Sequence, residues 1–182
     1  MCVNKGGNGD SLSRQLARIL DEHGPAAATL LLRLTLRRDV VEELMQELFI
    51  KLSSSPDKAW QTQNPAAYVR RAAINLAMDW RRRRVRQIER ESLIEADSLV
   101  TQQPLVGQEL ESQEEISQIL DAAGSLSELA QQAFILHFVQ QESYERVGQI
   151  LGKTTHQARA LCHAAVSQIR DTLAHRERQA TP

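Results

Sequence analysis

Between Val40 and Leu52 the apolar residues Val41, Leu44, Met45, Leu48 and Leu52 fall at i, i+3, i+4, i+7 and i+11, and Glu42, Glu43, Gln46, Glu47 and Lys51 lie off that stripe. A period near 3.6 buries one side of a helix and gives a strand no consistent face. Similar patterns occur along the chain. Leu12, Leu16, Ile19 and Leu20 mark a helix from Ser11 to His23, a break is expected at Gly24-Pro25, and a second helix covers about Ala26 to Leu36. Ser53-Ser54-Ser55-Pro56-Asp57 closes the third, and Asn64-Pro65 opens a fourth with proline in its first turn. The fourth runs to about Arg86, with Val69, Ala72, Ala73, Leu76 and Trp80 inward and Arg71, Asn75, Arg82 and Arg86 on the other side. With aromatic residues at only 4% and glycine and proline scarce, the fold class is all-α rather than sandwich or barrel.

The last third is punctuated as three helices. Ser125-Leu126-Ser127-Glu128 resembles a capping box ahead of an apolar run through Phe134 and Phe138. A short helix from Ser143 to Leu151 stops at Gly152, a left-handed C-cap position, and Thr154-Thr155 offers an N-cap for a final helix to about Leu173. Ala158, Cys162, Ala165 and Ile169 face inward on it. Short helix, glycine turn and longer helix make a helix-turn-helix candidate.

Charge divides the 182 residues further. Residues 1–90 hold sixteen of the 22 Lys and Arg against ten of the 23 acids, and residues 91–128 contain nine acids and no Lys or Arg. That asymmetry points to an N-terminal module facing a polyanion and a connection that stays off it. The expected organisation is a disordered tail at 1–10, a helical module at 11–90, a flexible acidic linker at 91–114, a second helical module at 115–175 and a tail at 176–182. No apolar run approaches the roughly 20 residues that cross a bilayer, and the start lacks the apolar core of a signal peptide, so no membrane insertion and a cytoplasmic location are expected. Cys2 and Cys162 are expected as reduced thiols. His156, Cys162 and His163 lie close in sequence, but no second ligand pair completes a metal site. No phosphate loop, nucleophile elbow or paired catalytic carboxylates appear, so neither an enzyme nor a cofactor is expected.

Two blocks carry a family resemblance. Val40-Val-Glu-Glu-Leu-Met-Gln-Glu-Leu-Phe-Ile-Lys-Leu52, followed by Asn64-Pro-Ala-Ala-Tyr-Val-Arg-Arg-Ala-Ala-Ile-Asn-Leu-Ala-Met-Asp-Trp-Arg-Arg-Arg-Arg84, resembles region 2 of extracytoplasmic-function sigma factors, particularly the branch that includes iron-citrate-uptake regulators. Leu126 to Leu173, with Ala133-Phe-Ile-Leu136, Ser143-Tyr-Glu145 and Ile150-Leu-Gly152, is similar to region 4. The resemblance implies a transcription initiation factor acting with core RNA polymerase. Glu42, Glu43, Gln46, Glu47 and Lys51 would dock on the coiled coil of its largest subunit. Region 2 would capture the melted minus-ten strand and region 4 the minus-35 duplex, while the acidic linker would thread the active-site cleft. An anti-sigma protein is a further partner the resemblance allows.

Candidate DNA contacts follow from the resemblance together with residue chemistry. Lys58, Trp60, Gln61 and Asn64 occupy the loop that would hold a flipped base, where a ring and amides suit single-strand capture; Trp60 could equally plug the core. Arg71, Asn75, Arg81, Arg82, Arg83, Arg84 and Arg86 would face promoter DNA, with phosphate contacts the main use of the arginine run. Asp79 could pair with Arg82 or Arg83. On the final helix Thr155, His156, Gln157, Arg159 and His163 are the candidates. Leu161, Ala164 and Val166 depart from the basic surface of the family and imply a further contact for that helix. Two other readings stay open: a stand-alone helix-turn-helix regulator, and a helical protein-binding adaptor.

Overall fold

The computed structural model describes residues 7–54, 64–94 and 110–180. Every regular element among them is helical: α1 (Gly7–Thr35), α2 (Arg38–Ser54), α3 (Pro65–Ile94), α4 (Leu110–Ala123), α5 (Glu128–Phe134), α6 (Tyr144–Leu151) and α7 (Thr155–Ala180), with α5 running on into a π-helical turn at Ile135–Val139. The chain divides into two compact units, residues 1–77 with 150–152, and residues 78–149 with 153–182. The division falls inside α3.

In the first unit α1 packs on α2, and Leu30, Leu31, Leu34, Leu44, Leu48 and Leu52 are fully enclosed. Val40 is the other buried residue of α2, while Val41 and Met45 are only half-buried. The stripe is thus rotated slightly from the expected one, by about one residue.

The break expected at Gly24-Pro25 is absent: α1 is continuous, with Pro25 inside it. An interior proline removes one backbone bond and costs about 3 kcal/mol. Ala27, Leu30, Leu31 and Leu34 beyond it are all buried, and each leucine contributes about 1.5–3 kcal/mol, which offsets that cost. Pro25 lies on the exposed side, where water can reach the carbonyl left open. Buried Gly24 faces α2, and a Cβ there would sit 3.8 Å from Met45 Cε. The α1–α2 turn places Leu36 in the left-handed region (φ 57°), with its N–H bonded to Leu32 O at 2.9 Å.

Helices also extend past their expected ends. α1 begins at Gly7 inside the expected tail, α3 reaches Ile94, α4 begins at Leu110, and α7 continues through residues 176–180. The expected linker therefore carries helix at both its borders, and its centre, 95–109, lies outside the described residues.

The second unit packs α7 against α4 and α5. Leu120, Leu126, Ala133, Ile135, Leu136, Val147, Ala158, Cys162, Ala165 and Ile169 are buried. The expected capping box at Ser125 does not form: α5 starts at Glu128, Ser127 gives no side-chain cap, and Ser125 Oγ donates to Ala122 O at 2.7 Å. Buried Gln131 closes that turn instead, its Nε2 donating to Ala123 O at 2.8 Å.

The turn between α6 and α7 follows the sequence closely. Gly152 has φ 64°, and Lys153 N–H bonds back to Gly148 O at 2.8 Å, the long bond of a Schellman cap. Thr154 Oγ1 accepts from Gln157 N–H at 3.2 Å while Gln157 Oε1 accepts from Thr154 N–H at 3.0 Å, a reciprocal capping box. The returning backbone runs so close that a Cβ on Gly148 would meet Lys153 O at 2.6 Å.

The two helix glycines should therefore respond oppositely to alanine. Gly24→Ala is expected to stabilise by about 0.5–1 kcal/mol, because the space exists and the unfolded chain loses freedom. Gly148→Ala is expected to destabilise by about 1–3 kcal/mol, as other overpacked sites do. Urea denaturation followed by circular dichroism separates them; a Gly148→Ala protein as stable as wild type would contradict the close turn.

Candidate functional site

The site residues fall on three helices, α2, α3 and α7, and those of α3 lie on both sides of the division between the units. On α2, burial of Val40, Leu44, Leu48 and Leu52 leaves Glu42, Glu43, Gln46 and Lys51 exposed and Glu47 half-buried. Glu43, Gln46, Glu47 and Ile50 are spaced i, i+3, i+4 and i+7 and share one face. Ile50 is 63% exposed and Phe49, next to it, 49%. Neither was among the candidates read from the sequence. Both fall off the leucine stripe, and that was the available signal. Ile50 thus stands exposed at the end of a row of acidic and amide side chains. At the start of α2, Asp39 binds the exposed Arg37 guanidinium, and this hydrogen bond raises the arginine's pKa.

The second surface is α3. Asn64, at its start, acts as a helix cap: Oδ1 accepts from Ala67 N–H at 3.0 Å, and Pro65 takes the first turn as expected. Arg71 and Asn75, one turn apart, are half-buried. Lys58, Trp60 and Gln61 lie outside the described residues.

The arginine run separates by direction. Arg81 is buried at 4% exposure; its Nε donates to Asp121 Oδ1 at 2.9 Å, and its Nη2 donates to Ser117 O at 2.8 Å and Ser117 Oγ at 2.7 Å. Burial pulls its pKa below the ordinary arginine value, and the charge and hydrogen bond of Asp121 push back. A guanidinium so enclosed is committed to α4, so Arg81, expected on a DNA surface, lies inside. Arg82 pairs with Asp79, as one of the two expected arrangements had it, and donates to Gly124 O at 3.2 Å. Arg84 lies 5.6 Å from the centre of the Trp80 ring, and the ring is half-buried beneath that cation. Arg83 and Arg86 are exposed.

The third surface is the exposed side of α7. Thr155, His156, Gln157, Arg159 and His163 are all exposed, Leu161 and Val166 are half-buried, and Ala164 is exposed. Gln157 is engaged in the capping box, and Arg159 stacks 5.2 Å above Tyr144. Tyr144 in turn stacks on His137 at 4.1 Å, and His137 Nδ1 donates to Glu142 O at 2.8 Å. The π-helical turn, which the sequence did not disclose, sets His137 beside Tyr144 and so props Arg159 from beneath.

Cys162 is buried, with Sγ donating to Ala133 O at 3.4 Å, and burial pushes its pKa up to about 11. It thus points away from exposed His156 and His163. Among the described residues no three His, Cys, Asp or Glu side chains group to hold a metal, and no helix is long and apolar enough to cross a membrane.

Arg81 gives a direct test of the inward assignment. Arg81→Ala is expected to cost about 3–5 kcal/mol, toward the lower end because Asp121 is 24% exposed. Adding Asp121→Ala should cost little more, since its partner has already gone. Equal and additive losses, measured in a double-mutant cycle by urea unfolding, would show that the two groups do not act as a pair.

Comparison with known proteins places one part of this chain. Residues 19–87 match the family model described as sigma-70 region 2, the domain expected from the blocks at 40–52 and 64–84. No curated protein matches the chain. One similar solved structure is that of the sigma factor RpoE in complex with the anti-sigma factor NepR from Bartonella quintana, 20% identical, with a TM-score of 0.47, over 90% of this chain and 97% of that one.

Proposed function

We propose that this chain is an RNA polymerase sigma factor of the extracytoplasmic-function type, which binds core polymerase and directs promoter recognition and strand opening. The match of residues 19–87 to sigma-70 region 2 carries the reading. The α2 face of exposed Glu42, Glu43, Gln46 and Lys51 and half-buried Glu47, with exposed Phe49 and Ile50 beside it, supports it, because it offers polymerase acidic groups next to apolar anchors. In this reading Arg71, Asn75, Arg82, Arg83, Arg84 and Arg86 serve the minus-ten region together with the loop of Lys58, Trp60 and Gln61. The exposed Thr155, His156, Arg159 and His163 serve the minus-35 duplex from a helix-turn-helix of α6 and α7. The modules at 11–90 and 115–175, the acidic connection between them, a cytoplasmic location and control by an anti-sigma protein belong to the same proposal. The assignment to the iron-citrate-regulator branch rests on the sequence blocks alone.

Reversing Glu43 and Glu47 to Lys should preserve helicity, since lysine is as good a helix former as glutamate and neither position is buried, and abolish co-purification with core polymerase. Ile50→Ala should weaken association about 10-fold or more, as loss of an apolar anchor does. Wild-type association by the folded Glu43→Lys/Glu47→Lys protein would remove this face from the account. Binding to palindromic duplex sites with no association to polymerase would favour the stand-alone regulator.

A further inference from the structure

We propose that Tyr144 is a positioning residue for sequence reading by α7: with His137 stacked beneath it, its ring aims the Arg159 guanidinium at the edge of a guanine in the major groove. The inference rests on the reading of α6 and α7 as a helix-turn-helix on duplex DNA. Arg159 is exposed and is the only arginine or lysine from Thr155 to Ile169. It stands in the second turn of α7, toward the end of a recognition helix that meets base edges. Any reading by a permanent positive charge along this stretch therefore passes through one side chain, and its direction decides what it meets.

That direction is set by a ring and not by a carboxylate. Arg159 Cζ lies 5.2 Å from the centre of the Tyr144 ring. Arg82, by contrast, is paired with Asp79, which offsets its charge. A ring face orients a guanidinium and leaves the charge and the N–H fork for a ligand.

The ring is itself held from below. Tyr144 is half-buried, and His137 stacks on it at 4.1 Å with 25° between the planes. Gln141, in the left-handed region (φ 59°), turns the chain back so that Glu142 O accepts from His137 Nδ1 at 2.8 Å. Phe138 meets the His137 ring edge-on at 4.7 Å, and Phe134 lies 5.1 Å from Phe138. His137 and Phe138 both belong to the π-helical turn, which is closed by Gln140 N–H to Ile135 O at 3.0 Å. Such turns are frequent at functional sites.

The chemistry favours a base edge over a phosphate. Phosphate contacts carry no sequence information and accept a cation from many directions, whereas a bidentate pair with guanine O6 and N7 needs the fork in one orientation. Fixing the side chain beforehand favours the contact that demands orientation, because less freedom is lost on binding. The rival role for Tyr144 is a phosphate contact through its own hydroxyl.

The full chain is mixed with a randomised duplex library, and bound DNA is recovered and sequenced. Affinities for the selected duplex and for its counterpart with the selected G·C pair changed to A·T are then measured by fluorescence anisotropy over a salt series. Wild type should select guanine at one position and prefer it about 10-fold, and Arg159→Ala should lose that preference. Tyr144→Leu should lose about 3-fold of it with the salt slope unchanged, since no charge is removed. Tyr144→Phe keeps the ring and should keep the preference. Tyr144→Met repeats the test should the leucine variant unfold, circular dichroism reporting helicity in each. A merely structural role would weaken binding to both duplexes alike. No guanine preference in wild type, a preference kept by Arg159→Ala, or a preference undiminished in the folded leucine or methionine variant would overturn the proposal. So would a phenylalanine variant as poor as the leucine one, which would assign Tyr144 to phosphate through its hydroxyl. Association with core polymerase is read separately: a guanine preference that depends on Tyr144 in a chain that never binds polymerase would uphold the stack and sink the sigma-factor reading, and polymerase binding without that preference would do the reverse.

Discussion

Successive side chains on a helix point 100° apart, so four adjacent arginines cannot share one environment. The run from Arg81 to Arg84 meets that constraint by division. Arg81 turns into the protein and is held by Asp121 and Ser117 of α4, Arg82 takes Asp79 and the carbonyl of Gly124, Arg84 lies over Trp80, and Arg83 points outward. The buried member orients the rest. With Arg81 fixed against α4 the rotation of this stretch of α3 is set, and with it the direction in which Arg83, Arg86 and Arg90 project. The same anchoring explains why this stretch belongs to the second compact unit even though its sequence falls in the region 2 match.

The other two surfaces are built by the same means, with a firmly packed side presenting an exposed one. On α2 four buried residues at four-residue spacing fix the helix, so Glu43, Gln46, Glu47 and Ile50 emerge together. On α7 the buried Ala158, Cys162, Ala165 and Ile169 do the same for Arg159 and His163. The start of α7 is fixed additionally by two caps that share one short turn, at Gly152 and at Thr154 with Gln157. Recognition surfaces on helices gain from such rigidity, because less freedom is lost on binding.

Much of this was legible in the sequence where one local interaction decides the outcome. Pro65 at a first turn, Gly152 at a left-handed C-cap and Thr154 as an N-cap each depend on neighbours within a few residues. The leucine spacing of α2 is of the same kind, although packing on α1 rotates the buried stripe by about one residue. Legibility ended where distant partners decide. Gly24-Pro25 is a strong local break signal, and only the burial of Ala27, Leu30, Leu31 and Leu34 overrides it. Arg81 cannot be told from Arg83 by residue type, since its partner Asp121 lies 40 positions away. Gly148 looked like an ordinary helix residue, and its role comes from backbone that returns over it after the turn. Ile50 falls outside the leucine stripe by helical spacing, but an apolar residue on a helix gives no docking signal until its exposure is seen.

A sigma factor confers promoter specificity on RNA polymerase. The most direct measurement is run-off transcription with core polymerase and a library of genomic promoter fragments, with and without the purified chain. Discrete transcripts from a subset of fragments are expected only when the chain is present. A folded chain that leaves transcription at the level of core polymerase on every fragment, and that forms no complex with the enzyme, would contradict this function.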